Sequence, residues 1–163
     1  MSKPFVAIVM GSDSDLPVME ASFDVLRTFA VSFEARITSA HRTPEATKAY
    51  VQDAEQRGCA VFIAAAGMAA HLAGAVAAAT VKPVIGVPMN ASLDGLDALL
   101  STVQMPAGIP VATVAIGKAG AKNAAYLAAQ ILSLADEPLA QRMRDERASN
   151  VQEIYAKDAA LQE

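Results

Sequence analysis

Five short apolar runs recur along the chain, and a longer stretch with helical spacing separates each run from the next. The runs are FVAIVM (5–10), SFEARI (32–37), AVFIAA (60–65), PVIGV (83–87) and VATVAI (111–116). The intervals are too long for hairpin turns, so consecutive strands must be joined by crossovers, as in a parallel sheet with helices on its faces. The alternation predicts an open, doubly wound α/β domain of about five strands, flavodoxin-like or Rossmann-like.

Helix signals occupy the intervals. After the first run, Ser14 or Asp15 can cap a helix whose first turn accepts Pro17. The apolar residues that follow recur at helical spacings of three and four: Leu16, Met19, Phe23 and Leu26. The sequence TPE at 43–45 places Thr at the N-cap, Pro at the first helical position and an acid in the first turn, and Gly58 is expected to end that helix.

The C-terminal part of the chain predicts two further helices, one over Lys118–Ala135 and one that Pro138 opens and that runs towards residue 160. A length of 163 residues fits a single domain, 1–163, with a core over about 5–135 and a helical extension over about 138–160. The last helix carries an apolar stripe: Leu139, Met143, Val151 and Ile154. This stripe packs either on its own domain or on a neighbouring subunit, and the sequence leaves both interpretations open.

Residues 59–81 contain no charged side chain and are long enough to cross a bilayer. Ala and Gly insert weakly, however, and Gly67 and His71 interrupt the run. We therefore interpret its first part as a buried strand and residues 69–79 as a small-residue helix, with no membrane span. The lone Cys59 is expected to be an inert core residue, and the N-terminal residues show no secretion signal, so a cytoplasmic location is expected.

The amino-acid composition indicates which kinds of protein this chain can be. Hydrophobic residues make up 53% of the chain, with alanine the commonest, while aromatic residues make up only 5%. Charged residues reach 18% with a net charge of −4, below the ~25% usual for soluble domains. This balance disfavours disorder and nucleic-acid binding, and it indicates that apolar surface is buried against other subunits, which predicts a homo-oligomer.

Ligands of doubly wound sheets bind at the carboxyl ends of the strands, a rule that selects the loops Gly11–Asp15, Ser39–Pro44 and Gly67–His71. A fourth connection, Pro88–Gly108, is unusually long and is a candidate cover for the site. The first of these loops precedes a helix N-terminus, where backbone N–H groups favour an anion such as phosphate, and Ser12 adds a hydroxyl donor. A helix cap with surface acids is the alternative interpretation of this loop.

The loop SAHRTP is denser in reactive groups. His41 can exchange protons near neutral pH, and Arg42 offers a fork of donors for phosphate or carboxylate. The chain has only two histidines, His41 and His71, and both follow predicted strands, which favours a functional over a structural role for His41. For His71 we expect a positioning or helix-capping role rather than catalysis.

The sequence does not favour a metal site, a phosphorelay receiver or a flavin site. The stretch 64–71 has almost no polar side chain, so it is expected to form an uncharged wall. Two histidines with Asp13 and Asp15 are too scattered to predict a metal site. A phosphorelay receiver would need an aspartate where Ala65 and Ala66 stand, and a flavin site would need aromatic residues that the loops lack. We therefore expect no cofactor and no metal.

Several motifs, taken in order, resemble the PurE family of purine biosynthesis over about residues 5–135: GSDSD, SAHRTP, AGMAAHLAG, GVP and LLSTVQMPAGIPVATVAIGKAGAKNAA. The resemblance implies a flavodoxin-like three-layer α/β/α subunit, assembled as an octamer with active sites at subunit junctions. It also implies conversion of N5-carboxyaminoimidazole ribonucleotide to 4-carboxy-5-aminoimidazole ribonucleotide, an isomerase reaction without cofactor. SAHRTP is typical of this mutase, whereas the alternative, a direct carboxylase of aminoimidazole ribonucleotide, typically has SAHKGP.

The resemblance also assigns roles by position. His41 matches the general acid/base of the family, and His71 matches its second histidine. The positions that match ribonucleotide contacts are Ser12, Asp15 and Arg42. The positions that match the pocket wall are Ser39, Ala40, Gly67 and Ala70. Two residues depart from the family pattern, because Met68 stands where a glycine is usual and Ala73 where a proline is usual.

Overall fold

The five predicted strands form one sheet in a computed structural model that describes residues 4–162. All neighbouring strands are parallel, in the order β2-β1-β3-β4-β5. The strands are β1 (Phe5–Met10), β2 (Phe33–Ile37), β3 (Cys59–Ala66), β4 (Val84–Pro88) and β5 (Ala112–Thr113). This order is that of flavodoxin-like folds and not of the Rossmann fold, so it decides between the two alternatives.

Helices cover both faces of the sheet. They are α1 (Leu16–Thr28), α2 (Pro44–Gln56), α3 (Leu72–Ala77), α4 (Leu96–Val103), α5 (Gly117–Ser133) and α6 (Glu137–Ala160). Helices α1 and α5 enclose one hydrophobic core, to which the start of α6 adds Leu139 and Met143. Helices α2 and α3 enclose a second core on the opposite face. The predicted three-layer α/β/α architecture is confirmed.

The predicted bounds of β1–β4 agree with the structure to within a residue or two, but β5 is shorter than the expected 111–116. It pairs only with β4, through Ala112 and Thr113. As the edge strand it is held on one side, and the chain soon leaves it to enter α5 at Gly117, where φ is +70°. The predicted helix over 69–79 is also shorter, because α3 spans only Leu72–Ala77.

The connection Pro88–Gly108, which was predicted only to be unusually long and a candidate cover for the site, contains regular structure. It contains a 3₁₀ turn, Leu93–Gly95, and then helix α4. Helix α4 packs on the sheet through Thr102, and a Cβ at Gly86 would lie only 2.4 Å from the Thr102 Cγ2 atom. The missed signal is the helical spacing of Leu96, Leu100 and Val103, whose side chains point away from the core and stay exposed.

The apolar stripe of helix α6 packs on its own domain in the first half of the helix and is exposed in the second half. Leu139 and Met143 are buried against the domain, whereas Val151 and Ile154 are 46% and 61% exposed. The second half of α6 is therefore largely exposed in the single chain. Within residues 4–162 no helix is long and apolar enough to cross a membrane. Cys59 is buried as expected, and this burial raises the pKa of its thiol to about 11.

Candidate active site

The carboxyl ends of β1, β2 and β3 meet at one cavity of about 270 Å³, so the structure brings the three predicted loops together. Its lining residues are Gly11, Ser12, Ser14, Asp15, Ser39, Ala40, His41, Arg42, Ala66, Gly67, Met68, Ala69, His71, Leu72 and Ala91. Eight of the nine predicted site residues line the cavity. The ninth, Ala70, is 1% exposed and does not line the cavity.

In the first loop, Gly11–Asp15, one residue caps a turn and another presents its carboxyl group to the cavity. The sequence could not tell which residue has which role. Ser12 caps a 3₁₀ turn, Asp13–Asp15, that precedes α1: its Oγ accepts hydrogen bonds from the Ser14 amide at 3.2 Å and the Ser14 hydroxyl at 2.8 Å. Asp15 occupies the N-cap position of α1 but makes no capping bond with its side chain. Its carboxyl group therefore remains available at the cavity.

Asp15 is the only one of the two loop aspartates that lines the cavity, and it is buried whereas Asp13 is exposed. Burial raises the pKa of the Asp15 carboxyl group above its ordinary value. A hydrogen bond from the backbone of Ser12 acts in the opposite direction, and the negative charge of Asp13 raises the pKa further. A buried carboxylate at a cavity is a good acceptor for ligand hydroxyl groups.

Hydrogen bonds from its own residues hold the second loop in shape. The Arg42 amide donates to Ser39 Oγ at 3.1 Å, and the Ser39 amide donates to Thr43 Oγ1 at 3.0 Å. Thr43 was predicted to cap α2 with its side chain, but it makes no such bond and braces Ser39 instead. Thr38 and Thr47 extend this cluster through a 2.6 Å hydroxyl contact that sequence reasoning missed.

The two histidines form a direct pair. Nε2 of His41 lies 2.7 Å from Nδ1 of His71, and the rings meet edge to face with an interplanar angle of 88°. In this contact one ring nitrogen donates the hydrogen bond and the other accepts it. The contact joins the second loop to the third and places both imidazoles on the same cavity.

Arg42 is the one guanidinium on the cavity lining, and its side chain is exposed. Within residues 4–162 its guanidinium forms none of the ion pairs with carboxylates that engage other arginines. The group is therefore free to receive a phosphate or carboxylate from a ligand.

The third loop supplies the apolar side. Gly67 allows the close approach of the connection after β4, because a Cβ there would lie 2.9 Å from the Cβ of Ala91. Ala91 itself lines the cavity, so the long connection contributes to the site, although no sequence motif marked this residue. Met68 also lines it and adopts a left-handed backbone conformation with φ of 55°.

The cavity is thus polar on one side and apolar on the other, with the histidine pair at their junction. Ser12, Asp15 and Arg42 suit the sugar and phosphate of a nucleotide, whereas the wall of small residues suits an uncharged group. In the part of the chain that the structure describes, no three His, Cys, Asp or Glu side chains are grouped to hold a metal ion.

Comparisons with known proteins agree with this geometry. The family described as AIR carboxylase matches residues 5–153. The chain is 51% identical over 158 residues to the N5-carboxyaminoimidazole ribonucleotide mutase of Methanocaldococcus jannaschii, covering 97% of this chain and 98% of the relative. It is 53% identical over 152 residues to the Bacillus subtilis protein of the same name, covering 93% of each.

A solved structure of lower sequence identity also points to the PurE family. The crystal structure of Treponema denticola PurE aligns with a TM-score of 0.88 at 34% sequence identity, covering 98% of this chain and 99% of that chain. The motif resemblance, the strand order and the cavity at the ends of β1 to β3 all agree with this similarity. The chain belongs to the AIR carboxylase family, the PurE family that its motifs indicate.

Proposed function

We propose that this chain is an N5-carboxyaminoimidazole ribonucleotide mutase of purine biosynthesis. The observation that carries the proposal is the pairing of His41 with His71 at the junction of the polar and apolar sides of one cavity. The names of the relatives at 51% and 53% identity support the same reaction. The product is 4-carboxy-5-aminoimidazole ribonucleotide, and we expect the reaction to need no cofactor.

The polar side of the cavity binds the ribonucleotide in this proposal. Arg42 and the amides of the first loop receive the phosphate, since a guanidinium and a helix N-terminus both favour an anion. Asp15 accepts hydrogen bonds from the ribose hydroxyl groups. Ser12 and Ser39 keep the two loops in position through the bonds to Ser14 and Arg42.

The reaction then needs one proton in and one proton out. Cleavage of the carbamate N–C bond leaves the electron pair on nitrogen, and His41 delivers a proton to that nitrogen. The ring carbon C4 attacks the carbon dioxide that has been set free, and His41 removes the C4 proton to restore the aromatic ring. This second transfer leaves His41 protonated again for the next turnover, and the 2.7 Å contact with His71 holds its ring in position.

The apolar side of the cavity has the task of retaining carbon dioxide. Ala40, Gly67 and the neighbouring small residues offer it no charged group. Ala70, which follows Ala69 in the chain, is buried and does not line the cavity.

Direct carboxylation of aminoimidazole ribonucleotide is the second candidate reaction. The Arg42-Thr43-Pro44 sequence favours the mutase, because it completes the SAHRTP motif. A direct assay separates the two: the pure protein receives either the carbamate ribonucleotide or aminoimidazole ribonucleotide with bicarbonate, and product absorbance is followed. We expect turnover of the carbamate; turnover of the second mixture alone would establish the carboxylase instead.

We also propose that residues 1–163 form one domain that assembles into a homo-oligomer, an octamer by resemblance to the family, in the cytoplasm. An exposed apolar surface on and beside α4 supports the assembly; it comprises Leu93, Leu96, Leu100, Val103 and Ile109. Light scattering on the purified protein tests the assembly, and a monomer at micromolar concentration would contradict it.

A further inference from the structure

The loop Ser39–Thr43, between β2 and α2, carries both His41 and Arg42. Hydrogen bonds join the two ends of this loop to each other. The Thr43 amide donates to the Ser39 carbonyl at 2.9 Å, the Ser39 amide donates to Thr43 Oγ1 at 3.0 Å, and the Thr43 hydroxyl donates to the Ser39 carbonyl at 3.2 Å. The last two bonds need the hydroxyl group of Thr43, so this side chain closes the loop that carries His41.

The Thr43 side chain does not take the role that its position in the chain offers. Thr43 is the N-cap residue of α2, where a threonine hydroxyl usually accepts a hydrogen bond from an amide two or three positions further on. It makes no such bond with the helix. Because a capping bond would stabilise α2, its absence indicates that the bonds to Ser39 take its place.

Two further threonines attach the closed loop to the body of the domain. Thr47, on the inner face of α2, is 2% exposed, and its hydroxyl lies 2.6 Å from that of Thr38 and 3.0 Å from the Thr43 carbonyl. The amide of Thr38 donates to the Met10 carbonyl at the end of β1. The other two buried residues of α2 are apolar, so Thr47 is a polar exception on a face that packs on the core.

One arrangement of the hydroxyl protons satisfies all of these contacts. Thr38 donates to Thr47 Oγ1, and Thr47 donates to the Thr43 carbonyl. Thr43 in turn donates to the Ser39 carbonyl and accepts the bond from the Ser39 amide. Within residues 4–162 no buried side-chain nitrogen or oxygen lacks a hydrogen-bond partner. The hydroxyl groups therefore form a continuous link from the sheet to the loop.

We infer that Thr43 is a positioning residue: its hydroxyl group, held by the two buried threonines, fixes the loop so that Nε2 of His41 meets Nδ1 of His71 at 2.7 Å. The effect on the reaction rests on the proposed mutase function, whereas the effect on the histidine contact is measured without substrate. A proton transfer needs hydrogen-bond geometry, but the long side chain of Arg42 can follow a small displacement of its backbone. Loss of the hydroxyl should therefore change kcat more than KM.

Kinetics of two variants test the effect on the reaction. Thr43→Val removes the hydroxyl group and keeps the shape of the side chain, whereas Thr43→Ser keeps the hydroxyl. For Thr43→Val we expect kcat to fall about 10- to 100-fold, because a misplaced catalytic group has a cost of this order, while KM changes less. Thr43→Ser should restore most of kcat. Thr28→Val is the matched control and should leave kcat unchanged, because the exposed Thr28 hydroxyl bonds the Asp24 carbonyl within α1, away from the cavity.

The histidine contact is measured by ¹⁵N NMR, since the chain has only two histidines. Untagged protein labelled at histidine, without substrate, gives the ring nitrogen signals of His41 and His71. In Thr43→Val these signals should move towards those of an imidazole without a hydrogen bond. In Thr43→Ser and Thr28→Val they should match the unaltered chain. Thr47→Val removes only the buried link and should shift the signals less, in the same direction as Thr43→Val.

Unchanged ring signals, or an unchanged kcat, in Thr43→Val would overturn the positioning role and leave the proposed function intact. A Thr43→Ser variant as slow as Thr43→Val would also overturn it, because the hydroxyl group would then not be the cause. Circular dichroism establishes that each variant folds, and if Thr43→Val does not, the signals and kcat of Thr47→Val decide by the same criteria. Shifted signals in a chain that does not turn over the carbamate would support the positioning of His41 and overturn the mutase function.

Discussion

The imidazoles of His41 and His71 are in hydrogen-bond contact at 2.7 Å, although 30 positions separate them in the sequence. The contact exists because β2 and β3 flank β1 in the sheet, so the loops that follow them leave at the same edge. Neither histidine has another hydrogen bond from its ring within residues 4–162. Each ring is therefore oriented by the other through this one contact.

Replacing His41 by Asn should lower kcat by about 10²–10⁴ while the ribonucleotide still binds, because the general acid and base is lost. His71→Asn should cause a smaller loss and alter the pH profile of kcat, since it acts through His41. The double variant is expected to be no slower than His41→Asn alone. Steady-state kinetics across pH, with binding measured by calorimetry, check these expectations. Full turnover by His41→Asn would contradict the assignment.

Arg42→Ala should raise KM about 10- to 100-fold, because a charge-assisted contact with the substrate phosphate is removed. Arg42→Lys should recover part of the loss, since it keeps the charge without the planar fork. Arg27→Ala is the matched control, because Arg27 pairs with Asp24 near the end of α1 and does not line the cavity. Inhibition by inorganic phosphate, measured for each variant, tests the contact independently. A loss in kcat at unchanged KM would contradict a binding role.

Asp15→Asn should stabilise the protein and weaken ligand binding together. Because the pKa of the carboxyl group is raised in the folded state, the folded state binds its proton more tightly than the unfolded chain does. The contribution of Asp15 to folding stability is thus most favourable at pH values below its ordinary pKa of 3.8. It declines as the pH rises through the raised pKa of the folded state. Tm of the variant should exceed that of the unaltered chain at pH 7, and this gain should vanish at acid pH.

Binding of the ribonucleotide by Asp15→Asn should fall roughly tenfold or more, because a charged acceptor for the ribose hydroxyls is lost. Asp13→Asn is the control, since Asp13 is exposed and does not line the cavity. Thermal melts at several pH values, with calorimetric titration of the ribonucleotide, measure both effects. A lower Tm at pH 7 would show that the buried carboxylate stabilises the loop.

Ala30→Gly should stabilise the fold by about 1 kcal/mol, which is roughly 2–4 °C in Tm for a chain of this size. Ala30 follows the end of α1 with φ of 52° in a Schellman arrangement, where the Val31 amide bonds the Leu26 carbonyl at 2.9 Å. Glycine adopts this conformation without a Cβ penalty, and α2 already uses Gly58 in the same way. Thermal melting checks the effect, and an unchanged or lower Tm would mean that the turn is not strained.

The elements that the sequence predicted well are those with local signals. The strands β1 to β4 are apolar runs between turn residues, and α1 and α2 begin and end at marked residues such as Pro44 and Gly58. Helix α4 was missed because its large apolar residues Leu96, Leu100 and Val103 lie on the exposed face while Ala98 and Thr102 are buried, the reverse of the usual surface-helix pattern. Strand β5 was overestimated because an apolar sequence cannot show how much of an edge strand finds a partner.

The sequence by itself determined the alternation of strands and helices, the family, and the three loops that carry the reactive groups, because these depend on neighbours along the chain. Only the tertiary structure decided which groups meet. The strand order brought His41 to His71, the N-cap of α1 placed the uncommitted Asp15 carboxyl group at the cavity, and the close approach at Gly67 brought Ala91 to its lining. These contacts depend on sheet pairing and on the approach of distant backbones, neither of which has a signature in local sequence.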